Sequence, residues 1–113
     1  MRRSWRPLVR DELELVRSQI ENGEAILVDV REQSEWDTEH LSGAVLLPLS
    51  EIEDGDYPNN LPQDKTLYLY CRRGIRAQVA ATLMRNDFPK VHPLPYHFTD
   101  IKTAKFDTTQ GKK

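Results

Sequence analysis

The sequence predicts an α/β fold in which a mostly parallel sheet is covered by helices on both faces. Three observations predict it. Short apolar runs recur at Ala25–Val28, Ala44–Leu47 and Leu67–Tyr70, a fourth short strand pattern stands at Val91–Leu94, and helical patterns lie between them. Such runs suit strands buried on both faces, and alternation with helices suits right-handed parallel crossovers. The length of 113 residues allows one domain.

The elements follow in order. Arg10–Asn22 carries Leu13, Val16 and Ile20 on one helical face, Asp11 with Glu14 resembles a capping box, and Asn22-Gly23 is a stop signal. Ala25–Val28 is a strand that ends at Asp29-Val30. Ser34 is placed to cap a short helix through Glu39. Ala44–Leu47 is a second buried strand closed by Pro48, and residues 54–65 are dense in turn formers and read as a loop. Thr66–Tyr70 is a third strand ending at Cys71. Arg76–Arg85 is a helix that turns Ala77, Ala80, Ala81 and Met84 toward a neighbour, and Val91–Leu94 is a fourth strand. The last 18 residues are polar, lack clear periodicity, and are expected to wrap the surface or stay loose. The chain therefore divides into an N-terminal segment (1–9), the domain proper (10–94) and a C-terminal segment (95–113).

Composition removes several classes of function. The longest apolar run is five residues, Leu67–Cys71, far short of the ~20 needed for a membrane helix. A single cysteine excludes a disulfide framework, a multi-cysteine zinc site and an internal dithiol switch, and the three histidines share no ligand spacing. The N-terminus is basic (Arg2, Arg3, Arg6), but no apolar stretch follows it, so a cytoplasmic location is expected. The net charge of −2 hides an asymmetry. Residues 10–64 hold fifteen acids against three arginines, whereas residues 65–113 hold ten bases against three acids. No basic run is interleaved with aromatics, so nucleic acid is not an expected partner.

The segment that carries chemistry is Tyr70 to Ala77. Its cysteine stands at the carboxyl end of a parallel strand, where open α/β sheets bind ligands. A loop that curls into a helix start aims several N–H groups at one point, and Gly74 supplies the freedom for the curl. Arg72, Arg73 and Arg76 add positive charge. These surroundings favour a thiolate nucleophile facing an anionic substrate. A lone cysteine is more often an inert buried hydrophobe. Here the strand-end position, the glycine and the arginines outweigh that.

Cys71-Arg72-Arg73-Gly74-Ile75-Arg76 resembles the active-site loop of rhodanese-like sulfurtransferases, Cys-Arg-x-Gly-x-Arg. Asp29-Val30-Arg31 is similar to the family's Asp-Val-Arg strand end. His40-Leu41-Ser42-Gly43-Ala44 is similar to its His-Ile-Pro-Gly-Ala segment, and Leu61–Lys65 to its approach to the catalytic strand. The resemblance implies a five-stranded, mostly parallel sheet and a Cys71 that carries a sulfane sulfur as a persulfide. It implies that the loop from Arg72 through Arg73, Gly74 and Ile75 to Arg76 holds the sulfur and attracts the donor. Asp29 and Arg31, at the end of a strand beside that loop, read as bracing it or facing the donor, against an ordinary ion pair at the strand end. The implied partners are a small anionic donor (thiosulfate or a persulfide) and a thiol or cyanide acceptor, or a sulfur-accepting protein. No nucleic acid, membrane, metal or organic cofactor is implied. Where the family usually has a Gly-Gly turn and a tryptophan, this chain reads Pro95-Tyr96-His97-Phe98, and Asn86-Asp87 replaces a usual glycine.

Two other readings compete. A phosphatase or arsenate reductase would place five residues between cysteine and arginine, but Cys71 and Arg76 enclose four, a smaller cradle. A non-catalytic binding or regulatory module would not need the cysteine that this chain keeps. Elsewhere, His40 reads as a turn-fixing hydrogen bonder, Trp36 as a core cover, and Trp5 as an anchor for the N-terminal segment. His92 and His97 read as exposed, and Tyr68 and Tyr70 as core residues whose hydroxyls need partners. Lys112 and Lys113 would suit docking on a partner.

Overall fold

The apolar run after Gly23 forms the central strand β1 (Ala25–Asp29) of a computed structural model that describes residues 9–104 and 106–111. Before it lies α1 (Val9–Glu21). After it come α2 (Gln33–Thr38), β2 (His40–Leu41), β3 (Val45–Leu46), α3 (Leu49–Glu53) and β4 (Thr66–Tyr70). The chain continues through α4 (Ile75–Met84), β5 (Val91–Pro93), α5 (Phe98–Thr103) and β6 (Thr108–Thr109). The main sheet has the order β3-β1-β4-β5, and every neighbouring pair is parallel, with Val28 opposite Val45, Ala25 opposite Thr66 and Leu67 opposite Val91.

The alternation of side chains along β1 and β4 divides the core in two. Val28, Leu67 and Leu69 face one side and pack against α3 and α4 through Ile52, Ala77, Ala80, Ala81 and Met84. Leu27 and Tyr70 face the other side and pack against α1 and α5 through Leu13, Val16, Phe98 and Ile101. Helices thus cover both faces, as expected. Each fully buried Leu or Val contributes about 1.5–3 kcal/mol relative to exposure.

Among the described residues the main sheet has four strands, not the five that the resemblance implied. His40-Leu41 stands in a separate two-stranded sheet, antiparallel to Thr108-Thr109; the Leu41 N–H donates to the buried Tyr70 hydroxyl (3.0 Å) and the Ser42 N–H to the Asp107 carbonyl (2.8 Å). The Ala44–Leu47 run is an edge strand rather than a buried one: Val45 is exposed, Ala44 and Leu46 are half-buried, and of the four only Leu47 is fully buried.

The cap of α2 is Glu32, not Ser34, and its N–H donates to Glu35 Oε1 (3.1 Å). The described part of the C-terminal segment packs on the domain. Phe98, Ile101, Ala104 and Phe106 are buried, and α5 lies on the sheet. Trp36 and His40 are buried and stacked at 3.5 Å, and His40 Nδ1–H donates to the Trp36 carbonyl (2.8 Å). His92 and His97 are exposed. Trp5, Lys112, Lys113 and the side chain of Asp11 lie outside the described residues.

Candidate active site

Strand β4 delivers Cys71 to the carboxyl edge of the sheet, and the chain reverses into α4 within three residues. Gly74 makes the reversal. Its φ of +93° lies in the left-handed region, and a Cβ there would stand 3.2 Å from the backbone Cα and C of Pro95. The turn aims the Gly74 N–H at the cysteine, and it donates to Cys71 Sγ at 3.0 Å. The start of α5 is tied to the same loop, since the Phe98 N–H donates to the Arg72 carbonyl (2.9 Å). The family-divergent Pro95–Phe98 segment therefore still closes one side of the loop.

Cys71 is 1% exposed and lies at the base of a cleft of about 340 Å3 lined by Glu35, Cys71, Arg72, Arg73, Ile75 and Arg76. The residues of the sequence-predicted loop are thus brought together. Arg72 and Arg73 are exposed and make no ion pair among the described residues. Arg76 differs: its Nη1 and Nη2 donate to Glu35 Oε1 and Oε2 at 2.7 and 2.9 Å. That hydrogen-bonded guanidinium holds the Glu35 carboxyl down at about 2, against the opposing effect of burial.

Asp29 and Arg31 do not line this cleft. Both are buried. Asp29 Oδ1 accepts from the Arg31 backbone N–H (2.9 Å) and Nε (3.0 Å), and Oδ2 accepts from Nη2 (2.7 Å). Arg31 Nη2 also donates to the Glu39 carbonyl (2.7 Å), and its guanidinium lies 4.6 Å from the centre of the Phe98 ring. The pair joins the end of β1 to the end of α2 and to α5. Arg31 lines a neighbouring hollow of about 370 Å3 that shares Glu35 and Arg72 with the first. Tyr70, buried beneath, has its phenol pushed up by burial and then by the Asp29 charge.

Glu35 is the residue that sequence reasoning missed. Its capping position in α2 is locally readable, but its pairing with Arg76, in a different helix, leaves no local pattern. Among the described residues, no helix is long and apolar enough to cross a membrane.

A parallel α/β domain with a cysteine loop between the end of a central strand and a helix defines a class built around a single buried thiol. A family description, Rhodanese-like domain, matches residues 12–104, and the chain belongs to that family. It is 44% identical over 59 residues to the probable adenylyltransferase/sulfurtransferase MoeZ of Mycobacterium tuberculosis, covering 52% of this chain and 15% of that relative. It is 28% identical over 95 residues to the thiosulfate sulfurtransferase GlpE of Coxiella burnetii, covering 83% of this chain and 86% of that one. The Alr3790 protein structure from Anabaena superposes with a TM-score of 0.75 at 22% identity over 88% of this chain and 79% of that one, a likeness of fold. The chain spans well under two-thirds of the length of the MoeZ relative.

Proposed function

We propose that the protein is a sulfurtransferase that moves a sulfane sulfur from thiosulfate or a persulfide to a thiophilic acceptor by way of a Cys71 persulfide. The observation that carries this reading is the Cys71 sulfur itself. It sits at the base of an arginine-lined cleft, and the Gly74 N–H is aimed at it. In the first step the Cys71 thiolate attacks the outer sulfur of thiosulfate. A new S–S bond forms, and the bond to the inner sulfur breaks with its electron pair, releasing sulfite. In the second step a thiolate or cyanide attacks the outer persulfide sulfur, and Cys71 leaves as thiolate. The loop N–H groups stabilise the anionic outer sulfur, as preorganised donors do elsewhere. Arg72 and Arg73, exposed and in no ion pair among the described residues, draw in the donor. Asp29 and Arg31 act at one remove by bracing the strand end. The sequence similarity to GlpE along most of both chains supports the same reading. The reaction as drawn uses no metal or organic cofactor.

The test is intact mass together with sulfite release after reduced protein is mixed with thiosulfate, beside Cys71→Ala. A gain of one sulfur atom, matched by sulfite and absent in the variant, is the expected result. No gain and no sulfite, in folded protein whose Cys71 reacts with an alkylating reagent, would overturn thiosulfate as donor. The same mass measurement with an organic persulfide would then decide whether Cys71 carries sulfur at all.

A further inference from the structure

Among the described residues, three of the large apolar side chains that are exposed stand on α4: Ile75 (67%), Val79 (43%) and Leu83 (45%). They recur at every fourth position, so they form one stripe on the outer face of the helix. The opposite face, Ala77, Ala80, Ala81 and Met84, is already packed on the sheet. From Ile75 to Leu83 the stripe runs about 12 Å. Scattered exposed aliphatics are ordinary, but a contiguous row marks an interaction surface. Ile75 belongs to two features at once, since it also lines the cleft over Cys71. Positive charge stands at the cleft end of the stripe, where Arg72 and Arg73 are exposed and in no ion pair within the described residues.

We infer that this face of α4 is the docking surface for a protein sulfur acceptor of acidic character. The acceptor lays an aliphatic patch along Val79 and Leu83 and passes a slender, thiol-bearing end by Ile75 to Cys71. The inference rests on the sulfur-transfer reading above. With Cys71 only 1% exposed, a blunt surface cannot reach the sulfur, whereas an extended end can. Arg72 and Arg73 supply the charge complementarity that selects an acidic partner and speeds encounter. In the transfer, the acceptor thiolate attacks the outer sulfur of the Cys71 persulfide. One S–S bond forms as the other breaks, Cys71 leaves as thiolate, and no outside oxidant enters.

Two labelled peptides of equal length test this, each ending in a flexible spacer and a cysteine. One alternates Glu with Leu, and the other alternates Lys with Ser. Binding is read by fluorescence anisotropy on wild type, Cys71→Ala and the double variant Val79→Ser/Leu83→Ser. Sulfur uptake is read from the Cys71 persulfide. The acidic aliphatic peptide is expected to bind and accept sulfur about tenfold better than the basic one, and to lose about that factor on the double variant. Transfer to dithiothreitol is expected to be the same for wild type and the double variant. Equal behaviour of the two peptides, or indifference to the double substitution, would overturn the surface. So would sedimentation showing that the wild type is a dimer and the double variant a monomer, because a second copy would then be the occupant. Stripe-dependent binding to Cys71→Ala without any persulfide on wild type would leave the surface standing and remove the sulfur-transfer reading. A persulfide that passes to dithiothreitol but not selectively to the acidic peptide would do the reverse.

Discussion

Glu35 holds Arg76 through two parallel hydrogen bonds of 2.7 and 2.9 Å, tying α2 to α4 across the cleft that contains Cys71. The sequence places three arginines in the loop after Cys71, and the structure pairs one of them, Arg76, with a carboxylate in the cleft. Removing that carboxylate without changing its shape should raise the positive charge facing the donor. Glu35→Gln is therefore expected to lower the KM for thiosulfate several-fold at low salt, with the gain fading as ionic strength rises. Steady-state sulfite release across a salt series measures this. An unchanged or higher KM would mean that Arg76 is needed where Glu35 holds it.

The same pair makes stability depend on pH. The folded Glu35 carboxyl is lowered to about 2 from 4.5, chiefly by the Arg76 hydrogen bonds. A depressed folded-state value contributes stability that is fully present above the unfolded-state value and lost as pH falls toward the folded one. Wild type is thus expected to exceed Glu35→Gln by a constant margin from pH 7 to about 5, and to lose that margin between about 4.5 and 2. Both side chains are about one-third exposed, so the margin should be on the order of 1 kcal/mol or less. Urea unfolding of both proteins at several pH values reads it, and a margin that persists unchanged at pH 2.5 would assign it to packing instead.

Gly74 is where the backbone and the site meet. Its φ of +93° and the backbone of Pro95 at 3.2 Å both oppose a side chain. Gly74→Ala is expected to cost about 1–3 kcal/mol of stability and to slow persulfide formation, since relief of the strain moves the N–H away from Cys71. Denaturant unfolding together with the mass assay tests both parts. A fully stable, fully active Ala variant would show that the N–H···S contact is dispensable.

How much of this was legible follows from how local each signal is. The strands were readable as short apolar runs, and the Cys71 loop was readable because a glycine and charges stand beside the end of one of them. Helix α3 was missed because five residues with one buried side chain, Ile52, show no period. Helix α5 was missed because Phe98 and Ile101 carry its packing almost alone among polar neighbours. The β2-β6 pair joins His40-Leu41 to Thr108-Thr109, and two-residue strands so far apart announce themselves in neither segment. The Glu35–Arg76 pair is hidden for the same reason. The strand count implied by resemblance failed: among the described residues the main sheet has four strands, and β2 pairs with β6 in a sheet of its own.

Asp29 and Arg31 form a buried ion pair at the end of β1. The pair is buried, and Asp29 also accepts the Arg31 backbone N–H, so the ion pair fixes the turn that ends β1. Breaking a buried pair by removing one member leaves an uncompensated charge, at a cost of about 3–5 kcal/mol. Arg31→Met should therefore be severely destabilised. Asp29→Asn/Arg31→Met should recover most of the loss, because asparagine keeps the acceptor for the backbone N–H without the stranded charge. Unfolding free energies of the wild type, both single variants and the double variant close the cycle. Additive losses would mean that the two side chains act separately. If the double variant regains stability yet forms the Cys71 persulfide more slowly than wild type, the pair positions the site as well as holding the fold.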